Sequence, residues 1–351
     1  MTAVAAVRCA FPDHLHPQGD LAEMTARLCG RDAGRDALIG RLYANAGVET
    51  RHTVLPLHAY GALAGLGAIN DLYIDHAMAL GERAVREALQ AADTDPADVD
   101  LLIATSVTGV AVPSLDARLI SRLGLRPDVK RLPLFGLGCV AGAAGLARLH
   151  DYLLGWPGHT AVLLAVELCS LSIPLGRPGT ADLVVSALFG DGAAALVARG
   201  GTVAAGPGPR VVASLSEVCP DSLDALGWRL GAEGFRIVLS TGLSEIVAAR
   251  LGVCARGFLA AHGLRPEDIG AWICHPGGPH VIDAVQRCLG LPDHALAASR
   301  RSLAGVGNLS SASVLHILQE TIAADRPEPG THGLVVGLGP GVSIELILLR
   351  W

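Results

Sequence analysis

Ala92-Asp93-Thr94-Asp95-Pro96-Ala97-Asp98-Val99-Asp100-Leu101-Leu102-Ile103 and His262-Gly263-Leu264-Arg265-Pro266-Glu267-Asp268-Ile269-Gly270-Ala271-Trp272-Ile273 are two versions of one segment, 170 residues apart. Each reads as a helix end, a Pro-x-Asp turn and an apolar strand. A second pair, Gly138-Cys139 and Gly307-Asn308, recurs at an offset of 169 residues and opens a small-residue helix in both places. A third, Phe189-Gly190-Asp191-Gly192 and Leu338-Gly339-Pro340-Gly341, reads as a glycine turn entering a strand near the end of each half. The chain is an internal duplication, with halves expected at 1–200 and 201–351. Gly200-Gly201 and Gly206-Pro207-Gly208-Pro209 read as the connecting loop.

Within a half, strand and helix alternate: a strand over Leu101–Thr105, a helix from Leu115, a strand before Cys139, a helix to Leu154, and a strand over Ala161–Val166. The alternation predicts mostly parallel sheets sandwiched by helices. Of 351 residues, 51% are hydrophobic, 17% charged and 4% aromatic, which suits aliphatic strands covered on both faces. Met1–Arg8 reads as a first strand and lacks the pattern of a signal peptide. Residues 31–70 fit no clean repeat and are expected to form a helical cap and loop over an entrance.

The composition also excludes functions. The net charge is −6, Lys130 is the only lysine, and the arginines are dispersed, so there is no basic stripe for nucleic acid. No stretch reaches the roughly 18 uninterrupted apolar residues of a membrane span; a cytoplasmic location is expected. Eight scattered cysteines without a CxxC pair indicate neither a disulfide scaffold nor a zinc site. No metal is expected, since His275 and His280 lack further ligands at metal spacing.

Three polar residues stand where chemistry can occur. Cys139 follows a strand and a glycine and precedes a helix, so backbone N–H groups and the positive helix end converge on its thiol. Such a site can lower a cysteine pKa from about 8.5 to roughly 3.5–7.5. A small buried Cys more often only packs; the company it keeps decides the matter. His275 follows a buried strand in Cys274-His275-Pro276-Gly277-Gly278-Pro279, and Asn308 opens a helix, where Asn also serves as an N-cap. Duplication brings the second element of each half to a pseudo-twofold centre, where Cys139 faces Asn308 and His275 can join them. Thiol, imidazole and amide together point to acyl transfer on thioesters. Gly337-Leu338-Gly339-Pro340-Gly341 lacks a P-loop lysine and leads into a strand, so it reads as a wall of the site.

In these motifs, with Ala187-Leu188-Phe189-Gly190-Asp191-Gly192-Ala193, the chain from about residue 90 onward resembles the type III polyketide synthases, the chalcone synthase-like enzymes. The resemblance implies an α/β thiolase fold, a duplicated five-layer αβαβα sandwich, acting as a homodimer. It implies an acyltransferase using acyl-CoA and malonyl-CoA as substrates, with no cofactor. Cys139 is expected to be loaded by the starter. His275 and Asn308 are expected to stabilise the malonyl-derived enolate that attacks the Cys139 thioester. Phe189 matches a gatekeeper phenylalanine and Phe235 its partner. Pro340 and Ser310 are expected at the cavity, and Arg51 on CoA phosphates.

Cavity positions Val107, Thr108, Cys169 and Ser172 depart from the plant pattern, and Val112 stands where plant enzymes carry a methionine that crosses the dimer. Thr108 and Cys169 resemble mycobacterial synthases that bind fatty acyl chains, so an aliphatic starter and an alkylpyrone or alkylresorcinol product are expected. Tetrahydroxynaphthalene synthases, which start from malonyl-CoA, often show a second cysteine near position 112, and this chain has none there. A ketoacyl synthase III would be expected to show His-Gln-Ala-Asn instead of His275-Pro276-Gly277-Gly278. A non-catalytic partner subunit would have lost one of the three reactive residues.

Overall fold

The computed structural model describes residues 2–63, 65–172, 178–203, 208–231 and 234–351. The first half comprises β1 (Thr2–Ala10), β2 (His14–Pro17), α1 (Gln18–Leu28), α2 (Ala33–Ala44), β3 (Thr50–Thr53), α3 (Leu66–Ala91), β4 (Leu101–Thr105), α4 (Leu115–Leu123), β5 (Lys130–Leu134), α5 (Ala141–Gly155), β6 (Thr160–Leu168), α6 (Thr180–Leu188) and β7 (Asp191–Arg199). The second comprises β8 (Arg210–Val218), β9 (Leu226–Gly231), β10 (Gly234–Leu239), α7 (Leu243–Ala260), β11 (Ile269–Cys274), α8 (Pro279–Leu289), α9 (Ala297–Val306), α10 (Ser313–Ala323), β12 (His332–Gly339) and β13 (Ser343–Arg350). Of the expected connecting loop, Gly206 and Pro207 lie outside the described residues.

The duplicated segments fold alike. In both, a long helix (α3, α7) leads through a 3-10 turn (Pro96–Asp98, Pro266–Asp268) into a buried strand (β4, β11). Gly138–Val140 and Ser310–Ala312 are likewise 3-10 turns, each running straight into a helix, α5 or α10.

The strands run in the order β11-β12-β13-β8-β1-β7-β6-β4-β5. Only two residue pairs, Thr2↔Val211 and Ala3↔Arg210, join β1 to β8, so the array is two sheets meeting at a seam. The layers follow from strand alternation. Leu163 and Ala165 of β6 and Ile347 and Leu349 of β13 point inward onto α5 and α10. Leu164 and Val166 point outward onto α3 and α4, and Leu346 and Leu348 onto α7 and α8. Five layers result, helix–sheet–helix–sheet–helix, with α5 and α10 in the middle.

The sheets are not mostly parallel. Parallel pairing is confined to β5-β4-β6 and β11-β12, whereas β7, β1, β8 and β13 pair antiparallel. Helix–strand alternation reveals crossovers but not the direction in which a closing strand joins. Residues 31–70 form more than a cap: α2 buries Ile39 and Tyr43 in the outer core beside α6, and β3 pairs with β2, placing His16 opposite Arg51.

Candidate active site

The turn carrying Cys139 is held by glycine on both sides of a close contact. Gly138 has φ +55°, and a Cβ there would lie 2.6 Å from Pro340 Cγ. A Cβ on Gly339 would lie 2.7 Å from the backbone nitrogen of Val140. The β12–β13 turn thus presses directly on the nucleophile's turn, and Pro340 braces that turn from behind. From the other half, Ser310 Oγ donates to Cys139 Sγ at 3.4 Å. Ser310 sits at φ +51°, a left-handed conformation uncommon for serine.

His275 extends the β11–β12 ladder by one bond, its N–H donating to Val336 O at 2.9 Å. Its Nδ1 is buried without a hydrogen-bond partner among the described residues. Burial pushes the imidazole down to about 4, so it is neutral at pH 7. Asn308 follows Gly307, at φ +72°. Its N–H donates to Leu188 O (2.8 Å) and its carbonyl accepts from Gly190 N (3.0 Å), a parallel bridge that couples it to Phe189. Its Oδ1 accepts from Ser310 N (2.8 Å) and Ser313 Oγ (3.3 Å). With the oxygen so occupied, the amide NH2 is the end left for the cavity.

Cys139, His275, Asn308 and Phe189 line one cavity of about 60 Å³, whose remaining walls are largely aliphatic and include Val185, Leu188 and Leu338. Ile237 and Leu239 of β10 contribute as well; the Phe235 side chain lies outside the described residues. A thiol, a neutral imidazole and a carboxamide thus converge in a largely apolar chamber. The expected thiolate is a correction: desolvation outweighs the helix end and pushes the Cys139 thiol up to about 12.

Glu167, at the end of β6, is a site residue that the sequence reading passed over. Fully buried, it accepts from Val107 N (3.1 Å), Thr108 Oγ1 (3.1 Å) and the Ser311 hydroxyl. Burial raises its carboxyl to about 7. Its only sequence signal was a charge inside an otherwise apolar strand. Thr108 is spent on this network, since its Oγ1 also accepts from Leu168 N at 2.9 Å, and it lines neither cavity.

Cys169 and Ser172 line a second, smaller cavity of about 20 Å³, which shares Val185 and Phe189 with the first. Arg51 also lines it, correcting its expected place on CoA phosphates. The side chain is 4% exposed. Its Nη1 donates to the carbonyls of Ser186 (2.7 Å) and Phe189 (2.6 Å), and its Nε to Gln18 Oε1 (3.1 Å). Pairing of β3 with β2 folds it inward. Val112 is 89% exposed and lines no cavity of its own chain.

Residues 1–202 match the family of chalcone and stilbene synthases, N-terminal domain, and residues 210–351 its C-terminal domain. The chain belongs to the chalcone and stilbene synthase family. It is a type III polyketide synthase, an acyltransferase with the thiolase fold. The chain is 56% identical to a 1,3,6,8-tetrahydroxynaphthalene synthase of Streptomyces peucetius subsp. caesius, covering 100% of this chain and 93% of that one. It is 32% identical to a putative chalcone synthase of Bacillus subtilis, over 88% of this chain and 87% of the relative. The crystal structure of 1,3,6,8-tetrahydroxynaphthalene synthase from Streptomyces coelicolor superposes with a TM-score of 0.94 at 31% identity, covering 99% of each chain. The type III polyketide synthase domain of Steely1 from Dictyostelium shares the fold, with a TM-score of 0.93 at 22% identity. The reading as a ketoacyl synthase III and that as a non-catalytic subunit are set aside.

Proposed function

We propose that this polyketide synthase builds a tetrahydroxynaphthalene-type aromatic from malonyl-CoA alone, the alternative product considered above, in preference to an alkylpyrone. The observation that carries the reading is 56% identity, over the whole chain, to a synthase of that name; the α-pyrone synthase of Mycobacterium tuberculosis is 29% identical. A naphthalene ring has ten carbons and no side chain, so two-carbon malonyl units supply it entirely.

The residues take these roles. Cys139 Sγ attacks the starter thioester as the neutral His275 accepts the thiol proton, which then leaves on CoA. The next malonyl-CoA loses CO2, and its enolate oxygen is held by the Asn308 NH2 and an imidazole N–H. The enolate carbon attacks the Cys139 thioester, transferring the chain to CoA and releasing the Cys139 thiolate, which attacks the next acyl-CoA or takes a proton from water. Phe189 partitions the two cavities. Thioester chemistry of this kind needs no cofactor and no metal. Both substrates are water-soluble thioesters, and no helix among the described residues is long and apolar enough to cross a membrane; we place the enzyme in the cytoplasm as a homodimer.

The test is mass spectrometry of products from malonyl-CoA alone and with a panel of aliphatic acyl-CoA starters. We expect the tetrahydroxynaphthalene mass from malonyl-CoA alone. No product without an added fatty starter, and an alkylpyrone with one, would overturn the assignment.

A further inference from the structure

Arg51 presents an unsolved account. A buried guanidinium without full hydrogen bonding is costly, yet its Nη2 is buried and has no hydrogen-bond partner among the described residues. The neighbouring groups are already committed. Tyr43, whose ring lies 5.5 Å from the guanidinium carbon, offers it only a weak interaction, since its hydroxyl is shared with Thr25 and Ser186. Asp191 accepts from Val54 N (2.8 Å), Ser170 N (2.7 Å) and the Ser170 hydroxyl. Among the described residues the guanidinium is the only charged side chain lining the small cavity behind Phe189, whose other polar groups are thiol and hydroxyls, Cys169 and Ser172 among them. That cavity abuts the chamber of Cys139 across Phe189 and Val185.

We propose that Arg51 Nη2 receives the free carboxylate at the far end of the acyl chain growing on Cys139, making Arg51 the residue that selects a carboxylated starter. This rests on the malonyl-primed reading above. A monodentate charge-assisted hydrogen bond from Nη2 satisfies the orphan donor and places the starter end in the second cavity. An uncharged starter leaves the donor unpaired and is disfavoured for that reason. No bond forms or breaks at Arg51, which binds and orients; the terminal carboxylate is shed as CO2 after chain extension, so that five malonyl units leave the ten carbons of the naphthalene.

The test is a competition in one tube. Wild-type enzyme receives equal concentrations of malonyl-CoA and its monomethyl ester, malonyl-CoA also serving as extender, and products are resolved by mass. The expected ratio favours carboxylate-primed over ester-primed product by about 10- to 100-fold, the range of a charged hydrogen bond. Arg51→Met brings the ratio toward one, and Arg51→Lys keeps part of it. Because both products come from the same enzyme, loss of active protein cancels. Cys169→Asp, which sets a competing carboxylate in the cavity, lowers the ratio with Arg51 intact.

A wild-type ratio near one overturns the proposal. So does an Arg51→Met enzyme that loses both products in proportion, which would leave Arg51 only a brace for the Phe189 carbonyl. Wild type that makes nothing from malonyl-CoA alone but extends added neutral starters instead sinks the malonyl-primed reading itself.

Discussion

Cys139 lies at the entrance of α5 yet stays a thiol, since the low-dielectric chamber opposes its ionisation more than the helix end favours it. A raised thiol pKa means that the reactive fraction grows with pH. Alkylation of Cys139 by iodoacetamide should therefore rise about tenfold per pH unit between about pH 6 and 9, followed by peptide mass spectrometry. A flat profile would mean a resting thiolate paired with imidazolium. Cys139→Ala should abolish polyketide formation. Asn308→Ala and His275→Ala each remove one enolate donor and should lower kcat by about 10²–10³-fold; turnover within tenfold of wild type for either variant would exclude it as a donor. All three residues stood out in the sequence, because each sits beside glycine or proline at a break between elements: Cys139 and His275 after a strand, Asn308 after helix α9. Glu167 did not stand out, and Arg51 did so only with another role, because a buried charge inside a strand acquires meaning only from neighbours distant in the chain.

At the level of elements, the site depends on how closely α5 approaches the turn Ser310–Ala312. A Cβ on Gly142 would lie 2.0 Å from the carbonyl oxygen of Ser311, with backbone on that side and no room to yield. Gly142→Ala should therefore destabilise by about 1–3 kcal/mol, as overpacked cores do, and should cost activity beyond the loss of stability by parting Cys139 from Ser310. Thermal denaturation alongside kcat at a temperature where the variant remains folded separates the two effects. The reading of strands, helices and repeat was sound here: β4 spans the expected Leu101–Thr105 and α4 begins at the expected Leu115. Strand direction was the miss. Whether β7 runs with or against β6 depends on which strand it lies beside, and composition carries no record of that.

For the whole molecule, one corner exposes apolar groups that a solitary chain has no reason to show. Val112 is 89% exposed, Phe135 63% and Val110 47%, on the loops that follow β4 and β5 at one end of their parallel pair; β5 forms an open edge of the sheet. Such a patch beside an unpaired edge marks an association surface. Val112→Asp should shift sedimentation velocity from the proposed dimer to monomer while circular dichroism stays unchanged. A variant that sediments like wild type would place the dimer contact elsewhere.

The sequence by itself determined the repeated segments, the helix-covered sheets and the candidate reactive groups, since repeats, strand alternation and turn residues are local or periodic properties of a chain; the five layers came from the family resemblance. Tertiary structure alone decided the protonation of Cys139, the inward turn of Arg51 and the division of the cavity at Phe189. Those depend on how far water is excluded and on which backbone carbonyls lie within reach, and both are set only when segments far apart in the chain close on one another.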